Sequence, residues 1–100
     1  MLQAQIYIDK DELIGSRSLY EFILHFLANH KIAGATAFRG LIGFGLNQQM
    51  KRPFDLFSFD EVPMMITFID EDEKVKSVLT ALREVWNGGL IVTHQVECWQ

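Results

Sequence analysis

The side chains of this sequence that could hold a metal or move a proton are three histidines, one cysteine and thirteen carboxylates. His94 and Cys98 are four residues apart, which on a strand puts them on one face but about 13 Å from each other, too far to share an ion within one subunit. His25 and His30, five apart on a helix, point in different directions and read as surface or boundary histidines. The acidic run Glu71-Asp72-Glu73 suits the positive end of a helix dipole and reads as a helix start, not a metal site. No Ser/His/Asp or Cys/His spacing supplies a nucleophile with its base. Cys98, beside Trp99, reads as a small apolar core residue rather than a reactive thiol. The residues therefore point away from an enzyme and away from a metal centre.

What remains is binding. The stretch from Gly34 to Gly45, GATAFRGLIGFG, holds four of the seven glycines. Its apolar residues read as a strand, and the glycines at 40, 43 and 45 free the end of that strand from the restriction a Cβ imposes on backbone angles. Such a bend is commonly a bulge or a tight turn. It also lets an anionic ligand approach outward-pointing N–H groups, because no side chain stands between. Arg39, Lys51 and Arg52 are the cations nearest in sequence for an anion contact.

The elements that must position this stretch follow from periodicity. Residues 2–8 alternate apolar and mostly polar side chains as a half-buried strand does, and residues 9–15 are acidic and turn-like. Ser18 and Glu21 have the spacing of a capping box that opens a helix, whose buried stripe is Leu19, Phe22, Ile23, Phe26, Leu27 and His30. The helix ends in the Lys31 to Gly34 region. After the glycine-rich strand, residues 46–61 form a long connection that carries Phe54, Leu56, Phe57 and Phe59, apolar enough to extend the sheet or to be covered by another chain.

A strand over 63–69 leads to a second helix, which Asp70 can cap together with Glu73. Its stripe is Val75, Val78, Leu79, Leu82, Val85 and Trp86, and Asn87-Gly88 stops it. In the last strand Leu90, Val92, Val96 and Cys98 share a face, with Ile91 and Trp99 on the other. The order strand, helix, strand, strand, helix, strand predicts an α+β fold of the ferredoxin-like βαββαβ kind, with a four-stranded antiparallel sheet and both helices on one face. Residues 1–100 make one domain. The other sheet face is left bare, and Tyr7, Phe68 or Trp99 could point either way, which favours an oligomer.

A formal net charge of −4 argues against a nucleic-acid partner, whose binding depends on clustered lysine and arginine. Ile6-Tyr7-Ile8 resembles the first-strand motif of RNA-recognition domains, but the third strand lacks the base-stacking pattern of that fold. No apolar run approaches the roughly twenty residues that span a bilayer, since Phe22 to Ala28 is interrupted by His25. With a single cysteine and no secretory leader pattern, a cytoplasmic protein without an internal disulfide is expected.

Ile32-Ala33-Gly34-Ala35-Thr36 followed by Arg39-Gly40-Leu41-Ile42-Gly43-Phe44-Gly45 resembles the second strand of the uncharacterised bacterial domain family numbered one-ninety. That family is similar to the PII signalling proteins, in which a comparable Gly-Phe-Gly lies at the base of a long effector loop. The resemblance implies a homotrimer with ligand clefts between subunits. It also implies a nucleotide held by two elements, the loop base at Gly43, Phe44 and Gly45 and a short loop after the second helix at Asn87, Gly88 and Gly89.

Where PII proteins have Arg-Gln after Gly-Phe-Gly, this sequence has Leu46-Asn47. The second loop lacks the phosphate-binding lysine, and the basic C-terminal tail of PII has no counterpart before Gln100. The implied effector is then a less charged adenine nucleotide, a different small ligand or none. The expectation is a PII-like regulatory protein that binds a small effector and presents residues 46–61 to a regulated protein such as a transporter. The alternative is a ligand-free structural or protein-interaction module, with a metal-binding protein behind it.

Overall fold

The computed structural model describes residues 1–41 and 62–99. Among them are β1 (Leu2–Asp9), β2 (Leu13–Ile14), β3 (Arg17–Ser18), α1 (Leu19–Asn29), β4 (Ala35–Arg39), β5 (Pro63–Asp70), α2 (Asp72–Val85) and β6 (Leu90–Gln95). The main sheet has the order β4-β5-β1-β6, and every neighbouring pair is antiparallel. With β2 and β3 set aside as a separate hairpin, this is the expected ferredoxin-like arrangement. The hairpin itself was not expected. Gly15, at φ 62°, turns the chain so that Leu13 pairs with Ser18 and Ile14 with Arg17.

The alternation in the two central strands decides which face is buried. Leu2, Ala4, Ile6 and Ile8 of β1 and Met64, Ile66 and Phe68 of β5 lie under the helices. Leu19, Ile23 and Leu27 of α1 and Val75, Val78 and Leu82 of α2 close over them. Burial of each of these side chains except Ala4 stabilises the fold by roughly 1.5–3 kcal/mol. The helical stripes are narrower than expected. Phe22, Phe26 and Leu79 are half-buried, while His30 and Val85 are exposed. His30 instead stacks on Phe26 with ring centroids 4.1 Å apart, and its Nδ1 lies 2.9 Å from the Phe26 carbonyl oxygen.

Both helix starts differ from expectation in their capping chemistry. Ser18 is the N-cap residue of α1, but its side chain makes no cap hydrogen bond, so the capping box does not form. The N–H of Leu19 donates instead to the Glu12 carbonyl at 2.9 Å. Asp70 does not cap α2 with Glu73. The helix begins at Asp72 with Glu71 as N-cap. The nearly buried Asp70 carboxylate accepts from Glu71 N–H at 2.8 Å and from Ala33 N–H at 3.1 Å, and it lies 3.4 Å from Lys74 Nζ. It thereby ties the end of β5 to the connection between α1 and β4.

Burial works to raise the Asp70 pKa. The hydrogen bonds from Glu71 and Ala33 and the Lys74 ammonium outweigh it and hold the carboxyl below its ordinary value of 3.8. A depressed folded value makes this contribution complete above the ordinary range and lost as pH falls through the folded one. Asp70→Ala, which orphans the Ala33 donor, is expected to lower stability at neutral pH by about 2 kcal/mol. Asp70→Asn should flatten the acid side of the stability curve. Urea unfolding from about pH 7 down to about pH 2 checks both, and an acid limb unchanged in Asp70→Asn would remove Asp70 as its source.

At the C-terminus of α1, Lys31 takes φ 67°. Its N–H donates to the Ala28 carbonyl, and that of Ile32 to the Leu27 carbonyl, both at 3.1 Å. This is a Schellman ending with lysine where glycine is usual. Strand β6 stops at Gln95, so Cys98 and Trp99 lie beyond the sheet. Cys98 is exposed and Trp99 is 92% exposed. The expectation that Cys98 is a core residue is thereby corrected. His25 in α1 and His30 at its C-cap do lie at the surface, both being exposed.

Candidate functional site

The glycine-rich stretch enters the sheet as β4 and leaves it at Gly40. Arg39 pairs with Met64 and Met64 with Ile8, so Arg39 lies at the end of the sheet where β1 finishes and β5 begins. Gly40 N–H donates to the Pro63 carbonyl at 2.6 Å. A Cβ at Gly40 would stand 2.7 Å from Pro63 Cγ and 3.1 Å from its carbonyl oxygen. Glycine is required here because the chain approaches its own neighbouring strand too closely for a side chain. Arg39 is exposed at this rim.

The loop after α2 reaches the same end of the sheet from the other edge. Tyr7 pairs with Leu90, and Gly89, the residue just before Leu90, lies one position nearer this end, at φ 63°. A Cβ on Gly89 would lie 2.6 Å from the Tyr7 carbonyl oxygen and 2.8 Å from Trp86 Cη2. At Gly88 it would meet Trp86 Nε1 at 2.8 Å and Glu12 Oε2 at 3.2 Å. The loop is therefore wrapped closely around Trp86, with a carboxylate at its side.

Arg83, in the last turn of α2, organises this loop from within. Its Nη1 donates to the Gly88 carbonyl at 2.6 Å and makes a longer contact of 3.4 Å with the Trp86 carbonyl. The guanidinium carbon stands 5.0 Å from the Trp86 ring centroid, within cation–π range. Sequence reasoning missed Arg83 and Glu12, and it assigned Trp86 only to the helix stripe. The available signal for Arg83 was its spacing: three residues before Trp86 and five before Gly88, a distance one long side chain covers at a helix end.

Of the expected site residues, Arg39, Gly88 and Gly89 are brought to one end of the sheet. They do not touch. Three strand spacings separate β4 from β6, about 14 Å. Gly43, Phe44, Gly45, Lys51 and Arg52 lie outside the described residues, as does the connection 46–61. A shallow concave surface formed by Met1 and the Val96 to Trp99 segment lies at the opposite end of the sheet, where Val96 N–H meets the Met1 carbonyl. Among the described residues, no three His, Cys, Asp or Glu side chains gather in a way that could hold a metal. No helix among them is long and apolar enough to cross a membrane.

The sheet face away from the helices carries a cross-strand apolar row at the same end. Phe38 pairs with Met65, Met65 with Tyr7 and Tyr7 with Leu90. Phe38, Tyr7 and Leu90 are 51%, 41% and 48% exposed, far more than the core beneath the helices. Further along, Gln3 Nε2 donates to Thr67 Oγ1 at 2.9 Å, and that hydroxyl donates to the Ala4 carbonyl at 3.1 Å. Tyr7 thus belongs to the bare face and Phe68, 3% exposed, to the core.

Comparison with known proteins bears on the family and the fold. The chain is 30% identical over 94 residues to the UPF0166 protein of Aquifex aeolicus, covering 93% of this chain and 88% of that one. It is 31% identical over 90 residues to a UPF0166 protein of Methanocaldococcus jannaschii, covering 88% of this chain and 82% of that one. Among solved structures it is similar to CPII, a nitrogen regulatory PII-like protein from Thiomonas intermedia K12, bound to ADP, AMP and bicarbonate. The TM-score is 0.69 at 18% identity, covering 99% of this chain and 92% of the other. A second structure of CPII, bound to ADP, AMP and acetate, gives a TM-score of 0.67 at 19% identity, covering 99% and 88%. These likenesses establish a shared fold. The family model described as DUF190, Uncharacterized ACR, COG1993, matches residues 1–98, and the chain belongs to that family, whose fold is PII-like.

Proposed function

We propose that this chain is a PII-like regulatory protein of the cytoplasm that forms a homotrimer and binds an adenine nucleotide of low charge at clefts between subunits. The observation that carries the reading is the placement of Arg39 and Gly40 at one edge of the sheet end and Gly88 and Gly89 at the other. About 14 Å apart, they suit a ligand that spans this end or is held jointly with a neighbouring subunit. CPII, which shares the fold, holds ADP and AMP. The apolar row Phe38, Met65, Tyr7 and Leu90 supports the oligomer, because it adjoins the same end and lacks cover among the described residues. Gly43, Phe44 and Gly45, with Lys51 and Arg52, complete the first element in this reading, and residues 46–61 meet a regulated protein such as a transporter. The role is binding and signalling, not catalysis.

A second reading rests on a specific observation. Gly40 and Gly89 are each explained by close approach to the chain's own backbone or proline ring, at 2.7 Å and 2.6 Å from where a Cβ would stand. A ligand-free interaction module would need these glycines just as much. Titration calorimetry with AMP, ADP, ATP and adenosine separates the two. Saturable nucleotide binding is expected, with a stability gain of about 2.7 kcal/mol at one hundred times the dissociation constant. No binding by any of the four would leave the interaction module as the better account.

A further inference from the structure

We propose that Arg83 is a positioning residue of the effector site, setting the loop after α2 so that its amides face a bound phosphate. The inference rests on the nucleotide reading above and names a part of the site that the loop's own sequence does not reveal. The trans peptide group is planar, with its C=O and N–H pointing in opposite directions. Arg83 Nη1 draws the Gly88 carbonyl to itself at 2.6 Å and the Trp86 carbonyl more weakly at 3.4 Å. The N–H groups of the same two peptide units belong to Gly89 and Asn87. Both must therefore point away from Arg83. Two amides aimed to one side of a glycine-containing loop form a concavity that suits an anion.

Two further features bear on the arrangement. The guanidinium stacks over Trp86 at 5.0 Å, so the loop and the helix end share one anchor. Gly89 at φ 63° passes so close to β1 that a Cβ there would stand 2.6 Å from the Tyr7 carbonyl oxygen. Residues 87–89, Asn-Gly-Gly, carry no cationic side chain of their own. An arginine acting from beneath supplies positive charge near the loop and fixes its donors, without itself having to reach the ligand. Glu12 Oε2, beside Gly88, adds a fixed negative charge that opposes a polyphosphate and is compatible with a single phosphate.

The test compares AMP with adenosine on the full chain for wild type, Arg83→Lys and Arg83→Gln. Wild type is expected to prefer AMP. Arg83→Gln should lose about tenfold in AMP affinity and keep its adenosine affinity, so that the ratio of the two collapses. Arg83→Lys keeps the charge but not the guanidinium donor geometry and should recover only part of the ratio. In ¹⁵N spectra, the Asn87 and Gly89 amides of wild type should shift on adding AMP and not on adding adenosine, and those shifts should shrink in Arg83→Gln. An unchanged ratio in a folded Arg83→Gln overturns the positioning role while leaving nucleotide binding intact. Equal loss of AMP and adenosine affinity marks a merely structural arginine and also overturns it. If wild type binds neither ligand, the nucleotide reading fails first, and this inference fails with it.

Discussion

Gly89→Ala is expected to destabilise the ligand-free protein by about 3 kcal/mol, the largest effect of any single methyl group added to the described glycines. Two costs combine. Alanine at φ 63° costs roughly 1–2 kcal/mol because its Cβ crowds the following carbonyl. The same Cβ would stand 2.6 Å from the Tyr7 carbonyl oxygen, a backbone atom in a central strand paired on both sides, which cannot yield without disturbing β1. Gly15 separates the two terms. It has a similar φ of 62° with nothing within 4 Å of its Cβ position, so Gly15→Ala should cost only the backbone part, about 1 kcal/mol. Gly34, with neither feature, should tolerate alanine. Urea unfolding of the three variants measures the series. Equal costs at 89 and 15 would show that the loop after α2 is not pinned against β1, and the geometry claimed for Arg83 would lose its support.

In the proposed homotrimer, Tyr7→Asp is expected to prevent association and leave folded monomers. Tyr7 stands in the bare face between Met65 and Leu90, its direct cross-strand neighbours. In a single chain it is 41% exposed, so a carboxylate there is solvated and costs the monomer little. At an apolar interface the same carboxylate loses its water, at several kcal/mol for each subunit. Association should therefore fail while the fold survives. Sedimentation equilibrium should give three times the 11.5 kDa chain mass for wild type and the single chain mass for the variant. Nucleotide affinity should fall in parallel if the cleft needs two subunits. A wild-type monomer, or a Tyr7→Asp protein that remains a trimer, would disprove the assignment of this face.

Much of the fold was legible because its signals are local. Alternation over Leu2 to Ile8 predicts one buried face for that strand, whereas Met64-Met65-Ile66-Thr67-Phe68 does not alternate strictly and the side taken by Phe68 was decided by the tertiary structure. The stripes Leu19, Ile23, Leu27 and Val75, Val78, Leu82 follow the helix period in the same way, and the order of elements then leaves few unknotted topologies. The short hairpin at Gly15 escaped notice because two-residue strands carry no period at all.

Capping and terminal residues were read less well, for a physical reason. Asp70 and Ser18 have the side chains of N-caps, yet a carboxylate takes whichever donors the tertiary fold brings nearest. For Asp70 these include the Ala33 N–H, 37 positions away in sequence. Cys98 looked like a core residue by composition, but β6 ends at Gln95 and Cys98 and Trp99 beyond it are exposed. The site divides along the same line. The sequence alone could mark Arg39 and the glycines after it as a candidate anion contact, because glycine and charge are properties of the residues themselves, whereas Gly88 and Gly89 became candidates only through the resemblance to PII proteins. Only the tertiary structure could decide that Arg39 and Gly89 share one end of the sheet, that Glu12 lies beside Gly88, and that Arg83 holds the loop. Those facts depend on strand register and on the direction of one side chain, and neither is written in any short stretch of sequence.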